Sequence, residues 1–373
     1  MQKVKFKDLF NFQKKSKIKA GDGFKLGEAQ YPFYTSSNVL TKSIDEYLFD
    51  EESLIFGTGG IASIHFCNDK FAVSTDCFVT QPKDKKQVFS KFVYYYLSGN
   101  MNILESGFKG AGLKHISKDY LENIEIPLPT LATQQKLAAI LDQASAIIAN
   151  NRAIVEKYDA LTQSLFLEMF GDPVKNEKGW EKDILGKNCE RIQIGPFGSQ
   201  LHLSDYVAEG ISLINPTNIK KDKIEYENCV KINNEKFVSL PNYHLKKNDI
   251  IMSRRGDLSK IGIVDKEKTF CGTGSLFLRL NKKINSIFCY FLLSHKSTID
   301  KLYEKAQGVT MPNLNKTIIY NLPIILPQEN LQNQFAERVQ AIEAQKQQAQ
   351  LELAKSEELF NSLLQGAFKE ELN

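Results

Sequence analysis

Residues 54–60, LIFGTGG, set three glycines within four positions behind an apolar run. Phe56, Gly57, Gly59 and Gly60 fit the loose glycine pattern that opens many S-adenosylmethionine sites, where missing side chains let the backbone approach a ligand and take positive φ. Such a turn should follow a strand, open a helix and be answered by an acidic residue about 20 positions on. Here the chain continues as IASIHF, which alternates like a strand. The D/N/S-P-P-Y/F tetrapeptide of amino-methylating enzymes is absent, and Asn215-Pro216-Thr217 lacks its second proline and aromatic. Neither a clustered-carboxylate P-D…E-x-K pattern nor a G-x-x-x-x-G-K-[ST] loop occurs. The six cysteines and five histidines show no metal-ligand rhythm, so no catalytic, cofactor or metal site is expected in this chain.

Charge points elsewhere. Residues 173–327 hold 24 basic against 16 acidic side chains, and 1–129 hold 17 against 15. The intervening 130–172 (3 against 5) and the final 328–373 (4 against 8) are acidic. Two basic segments thus alternate with two acidic ones, and a basic globule suits a polyanion. No apolar run approaches the roughly 18–20 residues that span a bilayer, and MQKVKFKDLF is too charged for a signal peptide, so a cytoplasmic location without membrane contact is expected.

The elements that must position any binding groups are written twice. GAGLKHISKDYLENIEIPLP (110–129) aligns with GVTMPNLNKTIIYNLPIILP (308–327) at an offset of 198. The register continues without a gap, pairing Gln134 with Gln332, Leu165 with Leu363 and Phe170 with Phe368. Upstream, YTSSNV (34–39) resembles INPTNI (214–219), and LIFGTGG falls against IIMSRRG (250–256). The glycine turn is therefore a position shared by both halves, and in the second half it carries arginines.

Each repeat ends in a helix. From Leu137, three interlaced seven-residue series build an apolar stripe: 137, 144, 151, 158 and 165; 140, 147, 154 and 161; 141, 148 and 155. This predicts long helices packed side by side, each about 60 Å long at ~1.5 Å per residue. Pro129-Thr130 would start the first and Gly171 with Pro173 stop it; the second would run from about Glu329 to Glu371. Leu137, Leu141, Ala144, Ile148, Asn151, Val155, Tyr158 and Leu165 would pair with Phe335, Ile342 and Leu363. Asn151 would either fix register from a buried site or sit partly exposed. SLIFGTGGIASIHF and NDIIMSRRGDLSKIGIV read as strands around turns, and 89–99 and 287–296 as matched short helices. The expected class is α+β: mixed α/β globules at 1–129 and 173–327, and long spacer helices at 130–172 and 328–373, related by an internal pseudo-two-fold repeat.

The order globule, helix, globule, helix resembles the DNA-specificity subunit of type I restriction–modification systems. The resemblance is carried by IEIPLPTLATQQKLAAILD (124–142), LPIILPQENLQNQFAERV (322–339), SLFLEMFGDP, the GW at 179–180 and NDIIMSRRG (248–256). It implies two target recognition domains reading a bipartite duplex and an antiparallel helix pair that spaces them. It also implies docking to two adenine-modification subunits and to restriction/translocase subunits, which use S-adenosylmethionine and ATP. The competing expectations are a stand-alone coiled-coil scaffold and an adenine-specific DNA methyltransferase.

Arg254 and Arg255 are candidate guanine readers, since a guanidinium can bond O6 and N7 bidentately. Asn215, Thr217 and Asn218 offer groups suited to adenine or phosphate, with Ser36, Ser37 and Asn38 as counterparts. Thr58, Gly59, Gly60, Lys109, Lys114 and His115 complete the first-half set. Lys109-Gly110 and Gln307-Gly308 are expected to form parallel loops.

Overall fold

The computed structural model describes residues 2–220, 223–308 and 311–369. It divides into two compact units, Met1–Ala153 with Ala349–Asn373, and Ile154–Gln348, so each unit takes a globule together with parts of both long helices.

In the first unit the run at 53–57 is the inner strand of a four-stranded antiparallel sheet. The order is Phe10–Phe12, Cys77–Pro82, Ser53–Gly57, Ile64–Cys67. All five residues of Ser53–Gly57 are buried because both faces of this strand are covered. With side chains alternating along a strand, Leu54 and Phe56 enter a core with Phe6 and Phe10, while Ile55 enters another with Phe71 and Val73. Burial on both faces explains an unbroken apolar run where alternation would mark a solvated face. A second sheet orders Phe24–Lys25, Lys42–Ile44, Tyr31–Tyr34 and Ala72–Val73, the last pair parallel.

The second unit repeats this construction. Its first sheet orders Cys189–Ile194, Ser275–Leu280, Ile250–Ser253 and Ile261–Ile263. Ile250 and Met252 share one core and Ile251 lies in another. Its second sheet again joins Ile211–Ile214 to Thr269–Cys271 in parallel. Short pairs, Lys3–Lys5 with Glu125–Pro127 and Lys182–Ile184 with Pro323–Ile325, close the two globules alike. The matched short helices are Ser90–Gly99 and Ser286–Ser294.

The long helices are Leu131–Phe170 and Glu329–Lys369; the expected end at Glu371 lies outside the described residues. Thr130 Oγ1 accepts the Thr133 N–H at the first start. Gly171 stops that helix at φ 74°, and the Trp180 indole donates to the Phe170 carbonyl (2.8 Å), which gives the GW pair its purpose. A buried glutamine ties each helix to its globule. Gln134 accepts the Phe89 N–H (2.8 Å) and donates to the carbonyls of Pro129 and Gln87. Gln332 does the same with Asn285, Pro327 and Lys283.

Within each unit the helix segments run antiparallel. In the first, Ala138 and Leu141 share a core with Phe368, against which Leu137, Phe360, Leu363 and Leu364 pack. Asn151 is half-buried there and donates to Ser356 Oγ at 2.9 Å, beside the Arg152–Glu357 ion pair. In the second, Phe166 and Phe170 enclose Phe335 at 5.6 and 5.3 Å, and Lys346 pairs with Asp159. Each helix end thus plugs an aromatic core: Phe170 against Phe288, Phe368 against Phe92 and Tyr96.

The three apolar series differ in burial. Leu137, Leu141, Ala144, Ile148, Asn151, Val155, Tyr158 and Leu165 are buried or half-buried, and so are Phe335, Ile342 and Leu363. The series Ile140, Ile147, Ile154 and Leu161 is instead 39–51% exposed. A helix with one neighbouring helix covers about two of its three apolar columns, and the third stays in water.

Candidate nucleic-acid interface

Three loops meet at one end of each globule. In the first unit the chain leaves the 53–57 strand into the glycine turn, where Thr58 N–H reaches the Asp76 carbonyl at 2.9 Å. The Thr58 carbonyl accepts the Ile116 N–H (3.1 Å), and Gly60 N–H reaches the Lys114 carbonyl (3.2 Å). The second unit repeats each bond: Arg254 N–H to Gly274, Leu314 N–H to Arg254, and Gly256 N–H to Pro312. Gly60 and Gly256 both hold positive φ, 85° and 71°, with open space where a Cβ would stand. So Thr58, Gly59 and Gly60 correspond in backbone to Arg254, Arg255 and Gly256.

A hairpin completes each turn. Phe108–Lys109 pairs with His115–Ile116, and His115 also bridges Gly59, so one residue lies between Lys109 and the glycine turn. In the second unit Asn313 bridges both Gln307 and Arg255. Gly110 and Gly308 open the two hairpins at φ 145° and 105°, where a Cβ would strike the carbonyl of Leu113 or Met311. Gly59, Lys109 and His115 are therefore brought together, as are Arg255 and Gln307. Asn313 escaped the sequence reading, although the offset of 198 sets it on His115.

The third loop follows the parallel strand pair. Ser36 Oγ donates to the Asp76 carbonyl (2.6 Å) and accepts the N–H groups of Thr58 and Gly59, lashing this loop to the turn. Thr58 is buried with its hydroxyl on the same carbonyl. Ser37 lies half-buried with its carbonyl 2.8 Å from His65 Nε2, and Asn38 is exposed. In the second unit Asn218 is buried, accepting the Asn215 N–H and donating to the Asn228 carbonyl. Ser36, Thr58 and Asn218 thus spend their polar groups in shaping the loops. Asn215 occupies space that Gly272 leaves by lacking a Cβ, and Thr217 is exposed.

Gly59 needs a revised reason. The space its missing side chain leaves is already used, because a Cβ would meet the His115 ring at 3.0 Å. Gly60 supplies the open, positive-φ position.

Lys109, Lys114, His115, Arg255 and Gln307 are exposed on these loops. Arg254 is only 8% exposed, and its Nε, like Asn313 Oδ1, is a buried polar atom without a partner. Burial, and then the neighbouring Arg255, push the Arg254 guanidinium pKa down from its ordinary value. An unmatched buried donor costs about 1–3 kcal/mol, and an incoming acceptor would remove that cost. Among the described residues no group of histidine, cysteine and carboxylate side chains could hold a metal, and no helix is long and apolar enough to cross a membrane.

The family model of the type I restriction modification DNA specificity domain matches residues 1–157 and 205–354. The chain belongs to this family. It is 23% identical over 370 residues to the type I restriction enzyme MjaVIII specificity subunit of Methanocaldococcus jannaschii, covering 92% of this chain and 87% of that one. It is 23% identical over 356 residues to the EcoBI specificity subunit of Escherichia coli, covering 87% and 74%. The fold matches the crystal structure of a type I S subunit from M. genitalium with a TM-score of 0.61 and 17% identity, over 98% of this chain and 96% of that one. DNA sequence recognition, as the specificity subunit of a type I restriction–modification system, is its function.

Proposed function

We propose that each unit reads one half of a bipartite duplex site with its three-loop platform, and that methylation and cleavage, with S-adenosylmethionine and ATP, belong to partner subunits. The observation that carries this reading is the repeated platform. Two turns with the same hydrogen bonds bear different exposed side chains, which suits two readers of different bases. The exposed lysines and arginine would meet phosphates and base edges, so affinity should fall steeply with salt. Mapping methylated adenines genome-wide should reveal a gapped motif. Exchanging residues 173–327 for a homologous domain should rewrite one half of it, and a change in both halves would refute modular reading.

The column Ile140, Ile147, Ile154 and Leu161 supports docking of the modification subunits through helix-on-helix contact. Ile147→Asp with Ile154→Asp should abolish their co-purification while DNA affinity of the chain persists. Retained assembly would place the docking surface elsewhere.

A further inference from the structure

Residues 1–129 contain no arginine, so all 17 basic side chains there are lysines. The planar fork that bonds guanine O6 and N7 together is unavailable to this globule, and lysine offers only a point charge. Its platform differs in a second respect. Gly59 bridges His115; Ile61 lies two residues beyond Gly59 on the glycine turn, and Leu113 lies two residues before His115 in the hairpin loop. Ile61 and Leu113 are 72% and 77% exposed, and the hairpin that carries Leu113 also carries Lys109 and Lys114. At the equivalent sequence positions the second unit has Asp257 and Met311. A lone exposed leucine is ordinary surface. Two exposed aliphatic side chains, one on a turn and one on the lysine-bearing hairpin bridged to it, are different, because a two-stranded hairpin fits the major groove, where the one apolar feature is the thymine C5-methyl.

We infer that the first unit recognises its half-site through thymine methyl groups packed on Leu113 and Ile61, with Lys109 and Lys114 holding the flanking phosphates. This rests on the reading that each unit serves one half-site, and it adds which base chemistry the first unit selects.

The test uses the full chain with its partner subunits and duplexes bearing the mapped motif. Thymines of the half-site retained after exchange of 173–327 are replaced one at a time by uracil, on either strand. Uracil keeps the pairing edge and O4 and loses only the methyl. At one or more positions it should weaken binding about fourfold, the worth of one methyl group taken from water. The penalty should vanish in Leu113→Ala and persist in Leu113→Met. A half-site without thymine, no uracil penalty, or a penalty unchanged in Leu113→Ala overturns the inference. Absence of any sequence-dependent binding sinks the parent reading instead.

Discussion

The glycine turn at 57–60 and its counterpart at 253–256 have the same backbone and opposite side-chain chemistry. Both leave an inner strand buried on two faces, both bond the same neighbouring turns, and both return through a positive-φ glycine. One carries Thr58 and Gly59, the other a buried Arg254 and an exposed Arg255. The difference shows where this architecture fixes geometry and where it leaves choice. Positions whose groups hold loops together are constrained by hydrogen bonds, while their neighbours face solvent and can vary without cost to the fold.

The largest effect should come from breaking that asymmetry on its charged side. Arg254→Ala with Arg255→Ala should weaken binding to the full site by about 1–3 kcal/mol for each arginine that reads a base edge, and leave first-half specificity intact. Titration against single-base variants and salt separates the roles. A base reader relaxes one position, whereas a phosphate contact weakens all sequences and flattens the salt slope by about one unit. Weakening spread over both half-sites would contradict separate readers.

The shared scaffold makes the opposite prediction. Gln134 and Gln332 are fully buried and make the same three bonds. Gln134→Leu and Gln332→Leu should each destabilise by about 1–3 kcal/mol, since each strands a backbone N–H and carbonyls that had partners. Chemical denaturation should give similar losses for both. A large cost in one unit and none in the other would mean the clamp is not equivalent.

Next come the turn glycines. Gly60→Ala and Gly256→Ala each place a Cβ in a left-handed residue, at roughly 1–2 kcal/mol. Thermal melts should show matched losses. Half-site binding should then part them, Gly60→Ala weakening only the first half-site and Gly256→Ala only the second.

Repetition was legible in the sequence because offset 198 is gapless through the helices and hairpins, and Gln134 with Gln332 and Phe170 with Phe368 each keep one role. The outward face of Ile140, Ile147, Ile154 and Leu161 was not, since a heptad pattern cannot say how many neighbours a helix has. Among the candidate DNA-binding residues, residue type suggested polarity but could not reveal which groups are already bonded. Ser36 and Asn218 look like donors to a ligand and are occupied within the fold. Gly59 fits a ligand-approach pattern and is room for His115. These are tertiary facts: Ser36 is bonded to groups 22 to 40 positions away, Gly59 meets a ring 56 positions on, and Asn218 closes short turns with no sequence signature of their own.

The smallest effect concerns a group that only the first unit has. His65 sits opposite Ile55 in its sheet, with Nε2 bonded to the Ser37 carbonyl and its ring beside Tyr34. The corresponding strand of the second unit has Gly262 opposite Ile251. Burial lowers the His65 pKa from its ordinary 6.5, outweighing the bond to Ser37, so the folded first unit favours neutral imidazole. A group with a depressed folded pKa that is neutral when deprotonated contributes its stability above the unfolded value and loses it as pH falls through that value. Acidifying from about pH 7 to about pH 5.5, the range in which histidine titrates, should therefore loosen the 35–39 loop. Affinity for the first half-site should fall modestly while the second holds steady. Amide exchange at Val39, whose N–H bonds Ser37 Oγ, should quicken over the same range. In His65→Asn, which cannot titrate, the pH dependence should disappear; its persistence would assign the effect to another group.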